Sequence, residues 1–320
     1  MQSASHSAAA AGGAGAAAWD LIDLGPVEMS SAENIHSVCV GHVTHDRIDG
    51  RVVAGGCALY AARGLQALGA HSRLVGAVGE DFAADAALAG LDCRLERAGR
   101  TTVFTNRYPP GAPRLQYVEQ VAPPVRPQLL APDERSCDVA FLGPVLGEVD
   151  LAAWKRALRP RLLAIGVQGL VRAVGPSGGG AAPAAAGRVV PRPWRPAAEL
   201  LAGVDVACLS EEDLAGQPDL LQRLCAAVPL VALTRERRGC DLIQGGRRRW
   251  VGIHPARVVD PTGAGDSFAA GLLFGLASGQ EPVAAARLGA AAASIIIESQ
   301  AGSGFERLAE AFERAAGVPA

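Results

Sequence analysis

The chain has 320 residues, 49% hydrophobic and 19% charged, a balance typical of a globular protein with one large α/β domain or two small ones. A formal net charge of −2, with no basic stripe carrying interleaved aromatic residues, excludes an electrostatic case for nucleic-acid binding. The sequence has no apolar run near the roughly 20 residues of a membrane span, and seven cysteines without CxxC spacing argue against a zinc site or a disulfide framework and predict a cytoplasmic location.

The first part of the chain predicts a tail followed by a strand–helix–strand unit. Residues 1–31 are rich in Ala and Gly and predict a disordered tail, which leaves residues 32–320 for the folded domain. HSVCVGHVTHDRI predicts a strand that ends near Thr44–Asp46. A glycine pair, Gly55 and Gly56, then precedes an amphipathic helix, and HSRLVGAVGED predicts the next strand. Such units build parallel sheets.

The middle of the chain predicts a hairpin and then a return to alternating strands and helices. TTVFTNRYPPGAPRLQYVEQV has alternating residues on both sides of a Pro/Gly break, which predicts a β-hairpin that faces a site. CDVAFLGPV and RLLAIGVQGLV predict strands around the helix DLAAWKRAL. GPSGGGAAPAAAGRVVPRP predicts an irregular loop, because Pro and Gly oppose regular structure.

The last third of the chain completes the pattern. PAAELLAGVDVACLSEEDL predicts a helix and a strand, and VPLVALTRERRGCDLIQGGRRRWVGI predicts a strand, a turn and a hairpin whose solvated tip carries Arg247–Arg249. Apolar helices close the chain. The alternation as a whole predicts an α/β fold, a doubly wound and mostly parallel sheet flanked by helices.

The use of lysine limits how the protein can hold phosphate. The only lysine, Lys155, lies in the predicted helix AAWKRAL with no glycine loop before it. A Walker-type loop needs Gly-Lys-Ser/Thr, and a protein kinase needs a strand lysine, so both classes are excluded. Any phosphate chemistry must therefore use backbone amides, arginines and metal.

One short stretch, DPTGAGDSFAAG, carries the strongest chemical signal. Apolar residues at helical spacing after Gly265 place Thr262 to Asp266 at a helix start. The unpaired first amides and the helix dipole attract an anion, and Gly263, Ala264 and Gly265 are small enough to let phosphate approach them. Asp266 would then stand beside a phosphoryl group, placed to accept the proton of an attacking hydroxyl. The plain alternative, an acidic first turn, explains Asp266 but not the three small residues before it.

DPTGAGDSFAAG resembles the C-terminal signature of the PfkB (ribokinase-like) carbohydrate kinases, and AGGCALYAARGLQALGAHSRLVGAVGEDF resembles their N-terminal glycine-pair region. AIGVQGLVR and VALTRERRGC look like the myo-inositol kinase branch. The resemblance implies Asp266 as catalytic base, Gly263 to Gly265 as anion hole, ATP as donor with Mg²⁺, and sometimes a monovalent cation such as K⁺. It implies a small lid near residues 47–54 and 100–122 over the substrate.

The resemblance also implies the remaining site residues. Asp46 would bind substrate hydroxyls, although it could instead cap a turn. The residues expected to line the substrate pocket with it are Gly55, Gly56, Gln168, Arg172 and the hairpin residue Arg114. Thr262 would contact the nucleotide, and Thr234 and Gly239 would line its adenine side or simply form a strand-end turn. Glu212 and Asp213 would bind the metal.

Several positions depart from the family pattern. Ser210 to Asp213 (SEED) replaces the usual Asn-x-x-Glu, Tyr60 replaces an Asn, Glu236 replaces a glycine, and Gly166 stands where a substrate-side Asp is expected. The sequence thus predicts an ATP-dependent kinase, monomer or homodimer, that phosphorylates a hydroxyl of a small polyol or sugar, with myo-inositol first. The alternatives are another sugar or nucleoside kinase, or a poorly active ligand-binding regulator.

Overall fold

The structure is a computed structural model that describes residues 34–48, 50–83, 85–97, 99–107, 115–177 and 187–320. The predicted N-terminal tail and Arg114 lie outside these residues. The strands in chain order are β1 (His36–Val40), β2 (Thr44–Ile48), β3 (Arg51–Gly55), β4 (His71–Val78), β5 (Asp92–Arg97), β6 (Thr102–Arg107), β7 (Leu115–Gln120), β8 (Ser136–Leu142), β9 (Arg159–Gly166), β10 (Arg172–Ser177), β11 (Gly187–Pro191), β12 (Val206–Ser210), β13 (Leu230–Thr234), β14 (Cys240–Gln244) and β15 (Arg247–Val251). The helices are α1 (Cys57–Ala67), α2 (Leu151–Ala157), α3 (Ala198–Leu201), α4 (Leu220–Ala227), α5 (Ala264–Ala277), α6 (Pro282–Ile297) and α7 (Ala311–Arg314).

Nine strands form the large sheet, in the order β15-β14-β13-β12-β9-β8-β1-β4-β5. The seven from β13 to β5 are parallel to their neighbours, and the hairpin β14–β15 adds an antiparallel edge. Side chains alternate between two apolar cores: Cys39 packs with the α1, α5 and α6 side, whereas Val38 and Val40 pack with the α2 and α4 side. The predicted doubly wound, mostly parallel sheet is confirmed.

The second sheet is larger than the predicted hairpin lid. It has six strands, in the order β10-β11-β7-β6-β2-β3. The prediction of an irregular loop over residues 175–193 was wrong at both ends, because β10 and β11 pair there and extend the small sheet. Pro176 is accommodated where the β10–β11 register shifts, on the edge strand, where its missing amide proton costs no ladder bond. Arg247–Arg249 lie on β15, directly after the tip at Gly245–Gly246, rather than in the turn itself.

His42 joins the segments that cross between the two sheets. Its side chain is fully buried, with Nε2 donating to the Pro123 carbonyl at 2.8 Å and Nδ1 accepting from Thr102 Oγ1 at 2.9 Å. Its backbone N–H donates to Glu148 Oε1 at 3.0 Å, and Thr102 Oγ1 also accepts from the Ala122 amide at 2.9 Å. The β1–β2 link, the start of β6, the β7–β8 link and the segment after β8 therefore share one polar cluster, which ties the small sheet to the large one.

The topology places a crevice at the centre of the large sheet. The chain leaves β1 toward β4 on one side, and β8 lies on the other side of β1, so the strand order reverses between β1 and β8. Ligands of open α/β sheets bind at the carboxyl ends of strands at such a point. Close approach there depends on glycine: a Cβ on Gly41 would lie 2.3 Å from the Gly143 carbonyl oxygen.

Candidate active site

The glycine turn begins helix α5 as the sequence predicted. Gly263 is the N-cap with φ +81°, a conformation that favours glycine, and a Cβ there would lie 2.1 Å from the ring carbons Cδ1 and Cε1 of Tyr60. Gly265 is exposed, and a Cβ there would meet no atom within 4 Å. Gly263 therefore has to be a glycine because the Tyr60 ring leaves no room for a side chain. Gly265, in contrast, borders open space at the first turn of α5.

Thr262 lies in the turn that leads into the helix. Its amide donates to Asp260 Oδ1 at 2.9 Å, and the Ala264 amide donates to the Pro261 carbonyl at 3.2 Å. The Thr262 hydroxyl oxygen is buried and has no hydrogen-bond partner within the described part of the chain. A buried hydroxyl left unpaired is costly, so this atom is suited to donate to an anion held at the turn.

Asp266 lies in the first turn of α5, where several separate segments meet. Burial raises the pKa of its carboxyl to about 6; the thiol of Cys57 and the positive charge of Arg172 lower it, and the carboxylates of Asp46 and Asp213 raise it. A carboxylate with such a pKa is mostly ionised near pH 7 yet basic enough to accept a proton. The group predicted as the base thus has the electrostatics that general-base chemistry needs.

Asp46 lies within the small sheet and not in a loop after the first strand. β1 ends at Val40, and Asp46 is the middle residue of β2, paired with Val53 of β3. Thr44 Oγ1 donates to Asp46 Oδ1 at 2.8 Å, which orients the carboxylate. The first strand is shorter than predicted because Gly41 and the buried His42 turn the chain from one sheet into the other. The alternative that Asp46 caps a turn is therefore wrong.

The glycine pair beside Asp46 serves two different contacts. A Cβ on Gly55 would lie 2.5 Å from Asp46 Oδ2 and 2.7 Å from Thr44 Oγ1, so the missing side chain leaves room for the carboxylate. Gly56 has φ +111°, and a Cβ there would lie 2.2 Å from the His42 carbonyl oxygen. Gly55 thus opens the predicted acceptor site, and Gly56 anchors the start of α1 to the crossing between the sheets.

Gln168 and Arg172 follow β9, which ends at Gly166, and do not continue that strand. Gln168 begins a 3-10 turn, and Arg172 begins β10 of the small sheet. Arg172 Nη1 lies 3.3 Å from Gln116 Oε1, and Nη2 lies 3.8 Å from Asp213 Oδ1. With its amide oxygen turned toward the guanidinium, Gln168 accepts from Nη2 at 2.8 Å and from Nη1 at 3.2 Å. Arg172 therefore links the lid to the large sheet beside Asp266.

Three polar residues near the base were not selected from the sequence. Asn106 of β6 is buried, and Gln116 Nε2 of β7 donates to its Oδ1 at 3.0 Å. The strand registers place both on the sheet face that carries Asp46. Cys57, at the start of α1, has its sulfur 3.5 Å from the side-chain amide of Gln168, and the thiol lowers the pKa of Asp266. The sequence could have pointed to Asn106 and Gln116, because they are polar residues at positions of the hairpin that alternate with its apolar ones. No sequence feature pointed to Cys57.

The residues expected on the nucleotide and metal side lie at the ends of β12 and β13. Thr234 Oγ1 donates to the Leu209 carbonyl at 3.3 Å. Gly239 has φ +82°, and a Cβ there would lie 2.2 Å from the Val251 carbonyl oxygen. Both therefore also have a structural role in the turn. Asp213 Oδ2 accepts from Ser210 N and Oγ, both at 2.8 Å, in a capping box.

The metal prediction fits only in part. The described residues contain no group of three or more His, Cys, Asp or Glu side chains that could hold an ion. Asp213 is buried, with one oxygen used by the capping box and the other facing Arg172, so it does not fit as a direct ligand. Glu212 is exposed in the same turn and remains the candidate contact for the metal ion.

Among the helices of the described residues, none combines the length and the apolar character of a membrane span.

Comparisons with known proteins agree with this geometry. A family model described as pfkB family carbohydrate kinase matches residues 182–306. An inositol 3-kinase of Oryza sativa subsp. japonica is 34% identical over 281 residues, which span 82% of this chain and 68% of the relative. The chain belongs to the PfkB family of carbohydrate kinases. It is a small-molecule kinase, and the predicted family and activity class are confirmed.

One further relative is similar in sequence, and two solved structures share the fold. An inositol 3-kinase of Arabidopsis thaliana is 27% identical over 278 residues, spanning 83% of this chain and 74% of that protein. A pyrophosphate-dependent kinase in the ribokinase family, solved with a pyrophosphate analog and myo-inositol, superposes with a TM-score of 0.69 at 19% identity over 87% of this chain and 100% of its own. Arabidopsis thaliana ribokinase with ribose and ATP gives 0.63 at 18% identity, over 88% and 99%.

The structure gives a physical reason for two departures from the PfkB pattern, Tyr60 and Glu236. Tyr60 is buried with its ring under Gly263 and edge-on to Phe305, so it supports the glycine turn from below. Glu236 has φ +50°, a conformation favoured by glycine and, among the non-glycine residues described, adopted here alone. The turn after β13 thus keeps a glycine-type backbone with a glutamate side chain on it.

Proposed function

We propose that the protein transfers the γ-phosphoryl group of ATP to a hydroxyl of myo-inositol. The observation that carries this proposal is the ionisable Asp266 in the first turn of α5, within electrostatic reach of Asp46, whose face of the small sheet also carries Asn106 and Gln116. The inositol 3-kinases among its relatives support the choice of substrate. These names describe the relatives, so the substrate of this chain is tested by the assay given below.

The acceptor side suits a polyol. Asp46 can accept hydrogen bonds from hydroxyls, and the amides of Asn106 and Gln116 can both donate and accept. A ring with a hydroxyl on each carbon satisfies many such groups at once, and a site built to bind hydroxyls rejects analogues that lack them by leaving buried polar groups unpaired. Gln168 and Arg172 would close the pocket against the base.

The proton and the phosphoryl group would move in opposite directions. The acceptor hydroxyl gives its proton to the Asp266 carboxylate while its oxygen forms a bond to the γ-phosphorus, and the bond from that phosphorus to the bridging oxygen of ADP breaks. With a pKa of about 6, Asp266 is mostly ionised at pH 7. The first-turn amides of α5 and the Thr262 hydroxyl would hold the transferring oxygens.

The donor would bind with Mg²⁺. Magnesium prefers phosphates and waters with one or two carboxylates, which suits a site with one exposed carboxylate, Glu212, and no protein cage among the described residues. When bound, the ion would neutralise charge on the phosphates. Thr234 and Gly239 lie at the turn that would face the nucleotide.

A coupled assay of ADP release tests the proposal. Purified protein is supplied with ATP and Mg²⁺ and with inositols, pentoses, hexoses or nucleosides, and a second series replaces ATP with pyrophosphate and follows phosphate release. We expect ATP turnover stimulated most strongly by myo-inositol. A nucleoside or a pentose as the best acceptor would refute the substrate, and turnover with pyrophosphate alone would refute the donor.

A further inference from the structure

Three side chains of the small sheet form a chain of hydrogen bonds that runs in one direction. Arg172 Nη1 of β10 donates to Gln116 Oε1 of β7 at 3.3 Å, and Gln116 Nε2 donates to Asn106 Oδ1 of β6 at 3.0 Å. Gln116 uses both ends of its amide in this chain. It therefore connects a charged donor to the buried amide of Asn106.

The guanidinium determines which way each amide points. The oxygen and the nitrogen of a carboxamide have similar shapes, so only their partners distinguish them. A guanidinium carries donors alone, so the Gln116 atom that faces Arg172 must be the oxygen. The Gln116 nitrogen then faces Asn106, whose facing atom must in turn be its oxygen. Asn106 Nδ2 is thereby turned away from Gln116, and it donates to no other group of the residues that the structure describes.

Arg172 is itself held in place from the side of the large sheet. Gln168, with its amide oxygen toward the guanidinium, accepts from Nη2 at 2.8 Å and from Nη1 at 3.2 Å. Nη2 also lies 3.8 Å from Asp213 Oδ1, and the capping box fixes the Asp213 carboxylate. Because the Arg172 side chain is only 14% exposed, water competes little for these contacts. The first donor of the chain thus has a fixed position.

The free end of the Asn106 amide lies on the sheet face that carries Asp46. β2 and β6 are parallel, with Asp46 opposite Phe104 and Ile48 opposite Asn106, so Asp46 and Asn106 are diagonal neighbours on one face. A carboxylate accepts hydrogen bonds, whereas the free NH₂ of an amide donates them. The face therefore offers a bound molecule one acceptor and one donor on adjacent strands.

We propose that Gln116 is a positioning residue that makes Asn106 a hydrogen-bond donor to the acceptor substrate, so that the site selects two neighbouring hydroxyls by polarity. One hydroxyl donates to Asp46, and the other accepts from Asn106 Nδ2. The inference rests on the proposed polyol substrate and names the part of it that is recognised, a vicinal diol. A carbonyl oxygen could replace only the hydroxyl at Asn106, because it accepts but cannot donate.

Gln116→Glu tests the direction of the chain with almost no change of shape. A glutamate carboxylate has acceptors only, so it still accepts from Arg172 but now also accepts from Asn106 Nδ2. The Asn106 amide must then turn over and present Oδ1 to the substrate. The site exchanges a donor for an acceptor, while Asn106 and Arg172 both remain.

The experiment measures the binding of inositol analogues by calorimetry, together with kcat and KM for ADP release. Inositol ketones, with a carbonyl oxygen in place of one hydroxyl, are compared with the matching deoxyinositols, which lack that oxygen. At the ring carbon that meets Asn106, wild type should bind the ketone about three- to tenfold more tightly than the deoxy compound. In Gln116→Glu this preference should disappear. Myo-inositol, whose hydroxyl can also donate, should lose no more than about threefold in affinity.

Glu119→Gln is the matched control. It is the reverse exchange on the same strand, but Glu119 accepts from Arg47 and Thr105 on the opposite face of the small sheet, so the ketone preference should equal that of wild type. Asn106→Ala removes the donor and should abolish the preference. Adding Gln116→Glu to Asn106→Ala should change the ketone-to-deoxy ratio no further, because Gln116 acts through Asn106.

Thermal midpoints identify any variant that does not fold. If Gln116→Glu is such a variant, Gln116→Leu takes its place. Leucine leaves the Asn106 amide free to point either way, so the ketone preference should fall by about twofold or more. An unchanged preference in folded Gln116→Leu would then overturn the proposal.

Three further results would overturn it. Wild type that prefers the ketone at no ring carbon would show that Asn106 does not donate to the acceptor. An unchanged preference in folded Gln116→Glu would show that Gln116 does not set the direction of the Asn106 amide. A further change in the ratio when Gln116→Glu is added to Asn106→Ala would mean that Gln116 contacts the substrate itself.

Wild-type turnover keeps this proposal distinct from the proposed function. If myo-inositol stimulates ADP release and one of these results is found, only the positioning role fails. If no polyol binds or stimulates turnover, the proposed function fails, and the positioning role fails with it.

Discussion

The turn proposed to face the donor and the surface proposed to face the acceptor are built in opposite ways. Thr262 to Asp266 are consecutive residues of one helix start, and their chemistry follows from local backbone structure. The acceptor surface combines Asp46, Asn106 and Gln116 from three strands with Arg172 from a fourth, and none is adjacent in sequence to another. A contiguous site tolerates little change at any position, whereas a dispersed one allows substrate contacts to vary strand by strand.

Removing the proposed base should give the largest effect. Asp266→Asn keeps the shape of the side chain but removes the proton acceptor, so we expect kcat to fall by about 10²–10⁴-fold with little change in the KM for ATP. Steady-state ADP release measures it. Asp133→Asn, an exposed aspartate in a 3-10 turn, is the control and should be unaffected. Near-normal turnover in Asp266→Asn would show that another group takes the proton.

The two glycines of the turn should separate stability from catalysis. Gly263→Ala places a Cβ against Tyr60 in a backbone conformation that disfavours alanine, so we expect a loss of about 2–4 kcal/mol in the free energy of unfolding. Gly265→Ala meets no atom within 4 Å, so its stability should be unchanged while the KM for ATP rises. Denaturant unfolding and kinetics on both variants check this. Equal stability losses would contradict the assignment of open space at Gly265.

The acceptor surface should respond mainly in substrate affinity. Asp46→Asn removes a strong acceptor, and we expect the KM for myo-inositol to rise about 10- to 100-fold. The Asp46 charge raises the pKa of Asp266, so its removal should also move the acidic limb of kcat/KM to lower pH. Arg47→Gln is a neighbouring control on the opposite face of β2 and should change neither quantity. A shift of the limb to higher pH would contradict the proximity of the two carboxylates.

The smallest effect concerns the turn after β13, which holds Glu236. Glu236→Gly restores the residue that prefers φ +50°, and we expect a gain of about 0.5–1 kcal/mol in the free energy of unfolding. Glu236→Ala retains a Cβ and should not show this gain, which isolates the backbone effect from the loss of the charge. Thermal or denaturant unfolding of the two variants decides, and equal stabilities would mean that the turn stores no strain.

The parts of the candidate site that depend on residues adjacent in the chain could be predicted from the sequence. The glycine turn, the helix it begins and the carboxylate behind it were all predicted, and so was the alternation that builds the large parallel sheet. The small sheet was underestimated, because β10 and β11 lie in a stretch whose Gly and Pro content opposes strands when read alone. Pairing with β7 supplies the hydrogen bonds that make the strands form.

The sequence by itself determined the reaction class, because a helix start that binds phosphate needs only consecutive residues. The tertiary structure decided what surrounds Asp266: it placed Asp46 in a strand, and it brought Arg172 and Cys57 within electrostatic reach of the Asp266 carboxylate from segments far away in the sequence. The reason is physical. Backbone geometry acts between neighbours in sequence, whereas the pKa of a buried carboxyl depends on every charge and donor that packing places around it.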